Sequence, residues 1–207
     1  MPAPTRPALP PDITAALAHW AGPAAPGLIA PLQALCAELL RWNQRINLTG
    51  FGDERQVWVG LFLDSLALLP QVVGDSLLDI GSGAGFPGLV IALARPELAV
   101  TLLDARAKRV SFQKQAVRLL GLGNVRCLQG RAGAGALPGR RFTTVTVKAV
   151  GSLPESLALA RPYLAPGGRV ILPRGASAAA EADALGLAAV AYELPPPGGQ
   201  RLLVLAG

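Results

Sequence analysis

Four glycines stand close together directly after a short apolar run. The run from 77 to 80 is followed within eight positions by Gly81, Gly83, Gly85 and Gly88, and a second apolar stretch then begins. This pattern predicts a strand, a tight turn and a helix. Glycines let backbone N–H groups approach a ligand without side chains in the way, and the helix N-terminus behind them favours negative charge. The chemistry indicated is the binding of a nucleotide-like cofactor.

The residues around the glycines narrow the choice of cofactor. Gly83-x-Gly85-x-x-Gly88 matches the dinucleotide fingerprint, with Asp104 near the position of a ribose-binding acid. Asp79, however, ends the strand, where a carboxylate suits a cationic amino-acid group better than a pyrophosphate. Pro87 also removes an N–H from the first helical turn, where a phosphate needs donors. These features favour S-adenosylmethionine, with Asp79 at its methionine end and Asp104 at its ribose.

Histidine and cysteine usage excludes several classes of chemistry. The single histidine, His19, lies outside every motif, so most histidine-dependent hydrolases and metal sites are excluded. Cys36 and Cys127 stand far apart in apolar patterns, which predicts buried thiols. No uninterrupted apolar run approaches the roughly 18–20 residues that span a bilayer, and the proline-rich start, 1–11, predicts a flexible lead-in. We therefore expect a cytoplasmic protein without a membrane partner or a metal.

The positive charge is concentrated in one stretch. The chain carries a formal net charge of +6, and no acidic residue occurs from 105 to 154. Fifty residues without an acid suggest a face that meets a polyanion, most plausibly nucleic acid. Ten basic residues lie in the stretch: Arg106, Lys108, Arg109, Lys114, Arg118, Arg126, Arg131, Arg140, Arg141 and Lys148.

Strands and helices are expected to alternate from about residue 74 onward. Strands are predicted over 76–80, 99–103, 125–128, 143–147, 169–172 and 201–205, and helices over 87–95, 108–120 and 153–164. The alternation predicts right-handed βαβ units and a parallel sheet, with the cofactor at the carboxyl ends of its first strands. Pro166-Gly167-Gly168 is expected to close the third helix. The apolar face of the second helix is assigned to Phe112, Ala116, Leu119 and Leu120.

The chain before residue 74 has a helical pattern. A first helix is predicted around residues 28–39, with Pro31 in its first turn. A second helix is predicted from Asp53 to Leu69 and stops at Pro70. We divide the chain into an N-terminal helical region, 1–73, and a cofactor-binding domain, 74–207. Apolar residues recur at three- and four-residue steps in the first helix and form one stripe: Leu28, Leu32, Leu35, Cys36 and Leu39.

Four motifs together resemble one known family. They are Arg41-Trp42-Asn43-Gln44-Arg45-Ile46-Asn47-Leu48-Thr49, Leu63-Asp64-Ser65, the run from Asp79 to Gly88, and Leu102-Leu103-Asp104 with Lys108-Arg109-Val110. From about residue 40 to its end, the chain resembles the bacterial 16S rRNA guanine-N7 methyltransferases, also called glucose-inhibited division protein B. The resemblance implies a class I S-adenosylmethionine-dependent methyltransferase fold. This fold is α/β and Rossmann-like, with a mostly parallel seven-stranded sheet and an N-terminal helical extension.

The resemblance also implies an activity and a set of site residues. Family members methylate N7 of one guanine in 16S rRNA of the small ribosomal subunit, and we expect a monomer. Guanine N7 has a lone pair and no proton to lose, so alignment suffices and we assign no catalytic base. Cofactor contacts are expected at Asp79, Gly81, Gly83, Phe86, Asp104, Ala132, Gly133 and Lys148. Contacts to rRNA phosphates are expected at Arg106, Lys108, Arg109 and Arg131.

The chain departs from the family pattern at a few positions, and other functions stay open. Gly60 and Leu61 stand where the family has Arg-His, and Gly133 and Lys148 replace a Glu and an Arg. Thr143 stands where an acid usually follows Phe142. A non-catalytic or divergent RNA-binding member, a methyltransferase with another substrate, and an NAD-dependent oxidoreductase are the alternatives. The oxidoreductase would need a histidine or a Tyr-Lys pair, and no tyrosine has a lysine four residues later.

Overall fold

Apolar residues at helical spacing bury one side of each amino-terminal helix. The computed structural model describes residues 8–133, 135–148 and 150–207. Helix α1 spans Pro11–Ala21 and helix α2 spans Ala25–Asn43, joined by a 3-10 turn at Gly22–Ala24. The predicted stripe of α2 is buried in full. Of the predicted flexible lead-in, 1–7 lie outside the described residues, and Pro11 already begins α1.

Pro31 lies inside α2, and its predicted place in the first turn is wrong. The helix begins at Ala25, so Pro26 takes the position in the first turn where a missing N–H costs nothing. Pro31 leaves the carbonyl of Gly27 without its helical donor. The stripe that begins at Leu28 hid the earlier start, because the turn before it contributes only one buried residue, Ala25.

The segment from Pro11 to Asn43 is long and apolar enough to cross a membrane, by length and composition alone. Its most apolar 18-residue window has a mean hydropathy of 1.3. In this fold the buried side chains of the segment, among them Ile13, Leu17 and Leu32, pack in the main hydrophobic core. Part of the hydropathy of these helices is therefore used in packing against the rest of the chain, since 33% of that window is buried.

The second predicted helix is present but changes its winding. Asp53 caps it by accepting a hydrogen bond from the Gln56 N–H at 2.8 Å. Helix α3, Glu54–Val57, then continues as a π-helical segment, Trp58–Leu63, and as helix α4, Asp64–Leu66. A 3-10 turn at Leu69–Gln71 ends it near Pro70, as predicted.

A seven-stranded sheet, together with helices, forms the rest of the described chain. The strands are β1 Ser76–Ile80, β2 Ala99–Asp104, β3 Val125–Gln129, β4 Phe142–Val147, β5 Leu164–Gly175, β6 Ala188–Leu194 and β7 Gly199–Ala206. Their order in the sheet is β3-β2-β1-β4-β5-β7-β6; the first five strands of that order pair in parallel, and β7 runs antiparallel to both neighbours. A mostly parallel seven-stranded sheet is therefore confirmed. The helices that follow β1, β2, β4 and β5 are α5 Gly88–Ala94, α6 Ala107–Leu120, α7 Leu153–Ala160 and α8 Ala179–Ala184.

The structure differs from the predicted elements around β5 and β6. Helix α7 ends at Ala160, and β5 already begins at Leu164, so Pro166-Gly167-Gly168 lies in the strand and does not close the helix. Gly168 permits this because a Cβ there would stand 2.8 Å from the Thr143 carbonyl oxygen. Strand β6 was not predicted, because most of its residues are exposed and it lacks an apolar alternation.

Two hydrophobic clusters cover the two faces of the sheet. The larger one holds the amino-terminal helices together with α5 and α6, and the other holds α7 and α8. The larger cluster contains Leu32, Phe62 and Leu77, from both sides of the boundary between 1–73 and 74–207. We propose that these two regions share this core while each keeps its own sequence pattern.

The apolar face of α6 is narrower than predicted. Phe112 and Ala116 are fully buried, whereas Leu119 is 45% exposed. The buried face of the helix also includes Val110 and Gln113. Leu119 therefore lies outside the face that packs on the sheet.

This difference within one helix predicts two unequal mutational effects. Phe112→Ala should lower the free energy of unfolding by about 3–5 kcal/mol, because it removes a buried ring and leaves a cavity. Leu119→Ala should change it by about 0.5 kcal/mol or less, since the side chain is largely in water. Urea denaturation of both variants measures this, and equal losses would contradict the assigned face.

Candidate functional site

The glycine turn between β1 and α5 adopts a conformation that only glycine accepts easily. Gly81, Gly83 and Gly85 have φ of 66°, 59° and 94°. The Gly81 and Ser82 N–H groups both donate to the Leu103 carbonyl, at 2.8 and 3.1 Å, which holds the turn against β2. Among the described residues, a Cβ on Gly83 would meet only the Gly81 carbonyl within 4 Å. The backbone at Gly83 therefore faces open space.

That open space is a cavity of about 360 Å³ at the carboxyl edge of the sheet. The glycine turn forms one wall, and the loop from 48 to 51 together with Leu61 forms another. Arg109 and Lys148 bring two positive charges to its lining. The remaining lining includes Ser82, Ala84, Phe86 and Val150.

Asn43 shapes the loop that covers this cavity. Its side-chain oxygen accepts hydrogen bonds from the Leu48 and Thr49 N–H groups at 2.9 and 3.0 Å. Its amide nitrogen donates to the Thr49 and Phe51 carbonyls at 3.1 and 3.0 Å. The motif around Asn43 carried the family resemblance, but sequence reasoning gave this residue no role. The structure shows that one side chain organises the whole loop.

Gly60 fits against the same loop. A Cβ at Gly60 would stand 2.6 Å from Cζ of Phe51. Any side chain at this position would therefore displace the Phe51 ring from its place beside the cavity. The departure from the family pattern at Gly60 is accommodated by the packing of Phe51.

Asp104, at the end of β2, is hydrogen-bonded to the backbone of the glycine turn. Its Oδ2 accepts a hydrogen bond from the Gly83 N–H at 2.9 Å, and its Oδ1 accepts one from the Arg106 N–H at 2.8 Å. Arg109 lies 3.4 Å from the same carboxylate, with 29% of its side chain exposed. The carboxylate is thus next to the cavity but is covered by Arg109.

Asp79 does not line the cavity. Its carboxylate is fully buried, where Oδ2 accepts from the Gly88 N–H and Oδ1 from the Thr146 hydroxyl, both at 3.0 Å. Burial raises the pKa of Asp79 to about 7, against the two hydrogen bonds and the charge of Lys148, which lower it. Asp79 therefore joins β1 to the first turn of α5, and its predicted contact with the methionine end stays a prediction.

Lys148, directly after β4, forms an ion pair with the buried carboxylate of Asp64. Its Nζ lies 2.5 Å from Oδ2 of Asp64, and Oδ1 of Asp64 accepts a hydrogen bond from the Tyr192 hydroxyl at 2.7 Å. Burial and the neighbouring carboxylate raise the pKa of Tyr192. This chain of contacts connects α4, the end of β4 and strand β6. Asp64 was quoted in a family motif, and Tyr192 had no sequence signal.

The other predicted cofactor residues are placed unequally. Phe86 lines the cavity, and its ring centroid lies 5.8 Å from that of Phe62. Ala132 and Gly133 follow β3 and are not part of the lining. The Gly133 N–H donates to the Tyr163 hydroxyl at 2.9 Å. The predicted adenine contacts of these two residues stay predictions.

Three of the four predicted RNA-contacting residues share one groove. Arg106, Lys108 and Arg109 lie around the start of α6 and face a groove of about 500 Å³. Arg45, from the loop after α2, contributes a fourth positive charge, and the lining contains no acidic residue. Arg131 is exposed elsewhere at the end of β3. Arg45 was named only as part of a motif, because a sequence does not show that this loop meets α6.

Comparison with known proteins gives matches over most of the chain. A family model described as rRNA small subunit methyltransferase G matches residues 28–191. A Myxococcus xanthus protein named ribosomal RNA small subunit methyltransferase G is 45% identical over 181 residues, which cover 82% of this chain and 83% of that protein. A Coxiella burnetii protein of the same name is 38% identical over 165 residues, 80% of each chain.

Solved structures of low identity share the fold. A ribosomal protein L11 methylase from Lactobacillus delbrueckii aligns with a TM-score of 0.56 at 13% identity, over 75% of this chain and 80% of that one. The C-terminal domain of a precorrin-6Y C5,15-methyltransferase from Rhodobacter capsulatus aligns with a TM-score of 0.54 at 21% identity, over 69% and 85%. The chain therefore has the class I methyltransferase fold.

The buried carboxylate of Asp79 predicts a pH-dependent stability. An unfolded aspartate has a pKa near 3.9, and the folded pKa is raised to about 7, so the folded state binds the extra proton in between. The wild-type protein should therefore lose stability as pH rises through this interval. Asp79→Asn keeps an oxygen for the Gly88 N–H and does not titrate, so it should gain stability relative to the wild type from pH 5 to pH 8.

Urea denaturation of both proteins at pH 5 and pH 8 measures this difference. Asp75→Asn, at an exposed position, is the control and should show the same difference from the wild type at both pH values. A pH-independent effect of Asp79→Asn would contradict the account of the buried carboxylate.

Proposed function

The chain belongs to the rRNA small subunit methyltransferase G family, and on that premise we propose that it methylates N7 of a guanine in the 16S rRNA. The observation that carries this proposal is the cavity, because three separate motif regions meet in it. The glycine turn, the loop that Asn43 organises and Arg109, from the motif after β2, all contribute to one lining. The enzyme is an S-adenosylmethionine-dependent rRNA methyltransferase of the small ribosomal subunit.

The cavity fits S-adenosylmethionine by size and by chemistry. Its volume of about 360 Å³ falls within the roughly 300–1,000 Å³ of small-molecule sites. The open space at Gly83 lets backbone groups reach the ligand. The rings of Phe51 and Phe86 offer apolar surface to the adenine, and the two cations of the lining suit the carboxylate of the cofactor. Bound there, S-adenosylmethionine supplies the methyl group.

We assign the cofactor contacts by their distance from this cavity. Gly81, Gly83, Phe86 and Lys148 line it directly. Asp104 is proposed to accept hydrogen bonds from the ribose hydroxyls. These bonds would replace the 3.4 Å contact between its carboxylate and Arg109. Asp79 acts through the helix start that it fixes, and Ala132 and Gly133 are proposed to lie near the adenine.

The reaction requires the protein to align the reactants, and it requires no proton transfer from guanine N7. Guanine N7 attacks with a lone pair and loses no proton, so the main requirements are a fixed geometry and exclusion of water. The turn is fixed by Asp104 and the loop by Asn43, as their hydrogen bonds show. Lys148 is fixed by Asp64 and brings a positive charge to the place where the guanine enters.

The basic groove is the proposed docking face for RNA. Arg45, Arg106, Lys108 and Arg109 line it, and we add Arg131 at the same edge of the sheet. Such side chains contact phosphates and position the RNA without reading its sequence. We further propose that the protein is a cytoplasmic monomer and does not act at a membrane.

An NAD-dependent oxidoreductase is not supported by the site. Both tyrosines that could serve as proton donors are engaged in structural contacts. Tyr163 accepts from the Gly133 N–H and Tyr192 donates to Asp64. Neither hydroxyl lines the cavity.

Methyl transfer to ribosomal particles tests the proposed function. Purified protein with methyl-labelled S-adenosylmethionine should label the small subunit or its naked 16S rRNA, with the label at N7 of one guanine. Mapping the modified base on both substrates also shows which of them the enzyme uses. RNA binding without label would indicate a non-catalytic member, and label on another base would correct the target.

Asp104 gives a separate test of cofactor binding. Asp104→Asn removes the charge that would strengthen hydrogen bonds from the ribose hydroxyls, and each such bond contributes about 1.5–3 kcal/mol. The affinity for S-adenosylmethionine, measured by calorimetry, should fall by about ten- to a hundredfold. Glu97→Gln, an exposed acid before β2, is the control. Unchanged affinity of Asp104→Asn would show that the ribose lies elsewhere.

A further inference from the structure

A second cavity lies beside the glycine-turn cavity, and sequence reasoning did not anticipate it. It has a volume of about 200 Å³ and is lined by Asp64, Lys148, Pro173, Arg174, Gly175 and Arg201. Lys148 also lines the first cavity. The two cavities therefore meet at this one side chain.

The charges of the second cavity do not balance. Its single carboxylate, Asp64, pairs with Lys148. Among the described residues, no carboxylate lies within 4.0 Å of the Arg174 or Arg201 guanidinium groups. Two guanidinium groups in a concave site thus have no carboxylate in direct contact, which is an arrangement that favours an anion.

Arg174 is held rigidly at the edge of this cavity. Its Nη1 donates to the Val147 and Pro173 carbonyls at 3.2 and 2.9 Å, and its Nη2 donates to the Ser156 hydroxyl at 2.6 Å. Burial lowers the pKa of Arg174, because its charge is partly removed from water, while the more distant charge of Glu181 raises it. Neutral partners orient the guanidinium and leave its charge available.

Arg201 has unused hydrogen-bonding capacity at the same place. Its Nε is buried and has no hydrogen-bond partner among the residues that the structure describes. The residue lies opposite Tyr192 on the neighbouring strand, and the Tyr192 hydroxyl is engaged by Asp64. A buried N–H without an acceptor is costly, and an anion beside Arg201 would offer its guanidinium group an acceptor.

We propose that this second cavity binds a phosphodiester group of the substrate RNA, through Arg174 and Arg201. The inference rests on the proposed function, because the phosphate belongs to the nucleotide whose guanine enters the first cavity. Guanidinium groups match phosphate oxygens with paired hydrogen bonds. With Lys148 between the cavities, a phosphate in one places the attached nucleotide next to the other, which aligns it for methyl transfer.

The carboxylate of the cofactor is the other anion that could reach this cavity, and one variant separates the two. Arg201→Gln should raise KM for small ribosomal subunits by about tenfold or more, since a charged hydrogen bond is lost. Its Kd for S-adenosylmethionine, measured by calorimetry, should stay within about twofold of the wild type. Arg201→Lys keeps the charge and the packing of the stem and should recover part of the KM.

Arg161→Gln is the matched control. Arg161 is exposed and follows α7, at the amino edge of the sheet, away from both cavities. It should leave KM and Kd unchanged. If Arg201→Gln raises Kd and leaves KM normal, the cavity belongs to the cofactor carboxylate and the proposal is overturned. An Arg201→Gln variant with both constants unchanged would also overturn the proposal.

A second measurement does not depend on methyl transfer. Inorganic phosphate should raise the melting temperature of the wild type more than chloride at equal ionic strength, because it binds the folded state. Arg201→Gln should lose this difference, and Arg161→Gln should keep it. An equal response of all three proteins would overturn the anion site. If the wild type responds but methylates no subunit, the proposed function fails while the anion site stands.

Discussion

Two buried carboxylates fix the glycine turn on which the site depends. Asp79 accepts the N–H of Gly88 at the start of α5, and Asp104 accepts the N–H of Gly83 within the turn. The glycines have no side chains with which to stabilise their left-handed conformation. Asp104 stabilises this conformation from β2 through Gly83, and Asp79 holds the start of α5 from the adjacent strand, β1. The cost is a charge on Asp79 that is out of water, and its raised pKa of about 7 reflects that cost.

The amino-terminal helices complete the site and do more than cover the sheet. Asn43, at the end of α2, holds the loop that faces the glycine turn. Asp64, in α4, holds Lys148 at the boundary of the two cavities. Since the same helices share their core with the sheet, packing in that core keeps both contacts in register. The helical extension and the cofactor fold therefore act as one binding unit.

Local patterns made much of the fold predictable. The strand at β1 was predicted with its exact bounds, because its apolar run ends at a glycine turn. The apolar stripe of α2 was predicted from its three- and four-residue spacing, and each of its residues is buried. Strand β6 and the start of β5 were missed, since an exposed edge strand and a close backbone approach at Gly168 leave no apolar period to detect. Leu119 was misplaced because a helix of the right spacing can bury less of its surface than its sequence allows.

Local stretches of sequence are enough to establish the glycine turn, the acids at the ends of β1 and β2, the concentration of positive charge and, through the motifs, the family. Neighbouring residues or short spacings carry each of these features. The folded chain is needed to show that Asp79 faces inward, that Arg109 covers Asp104, and that Arg174 and Arg201 share a cavity with Lys148. These facts depend on which strands become neighbours at the carboxyl edge of the sheet. Residues far apart in the chain meet there, and no local pattern records that meeting.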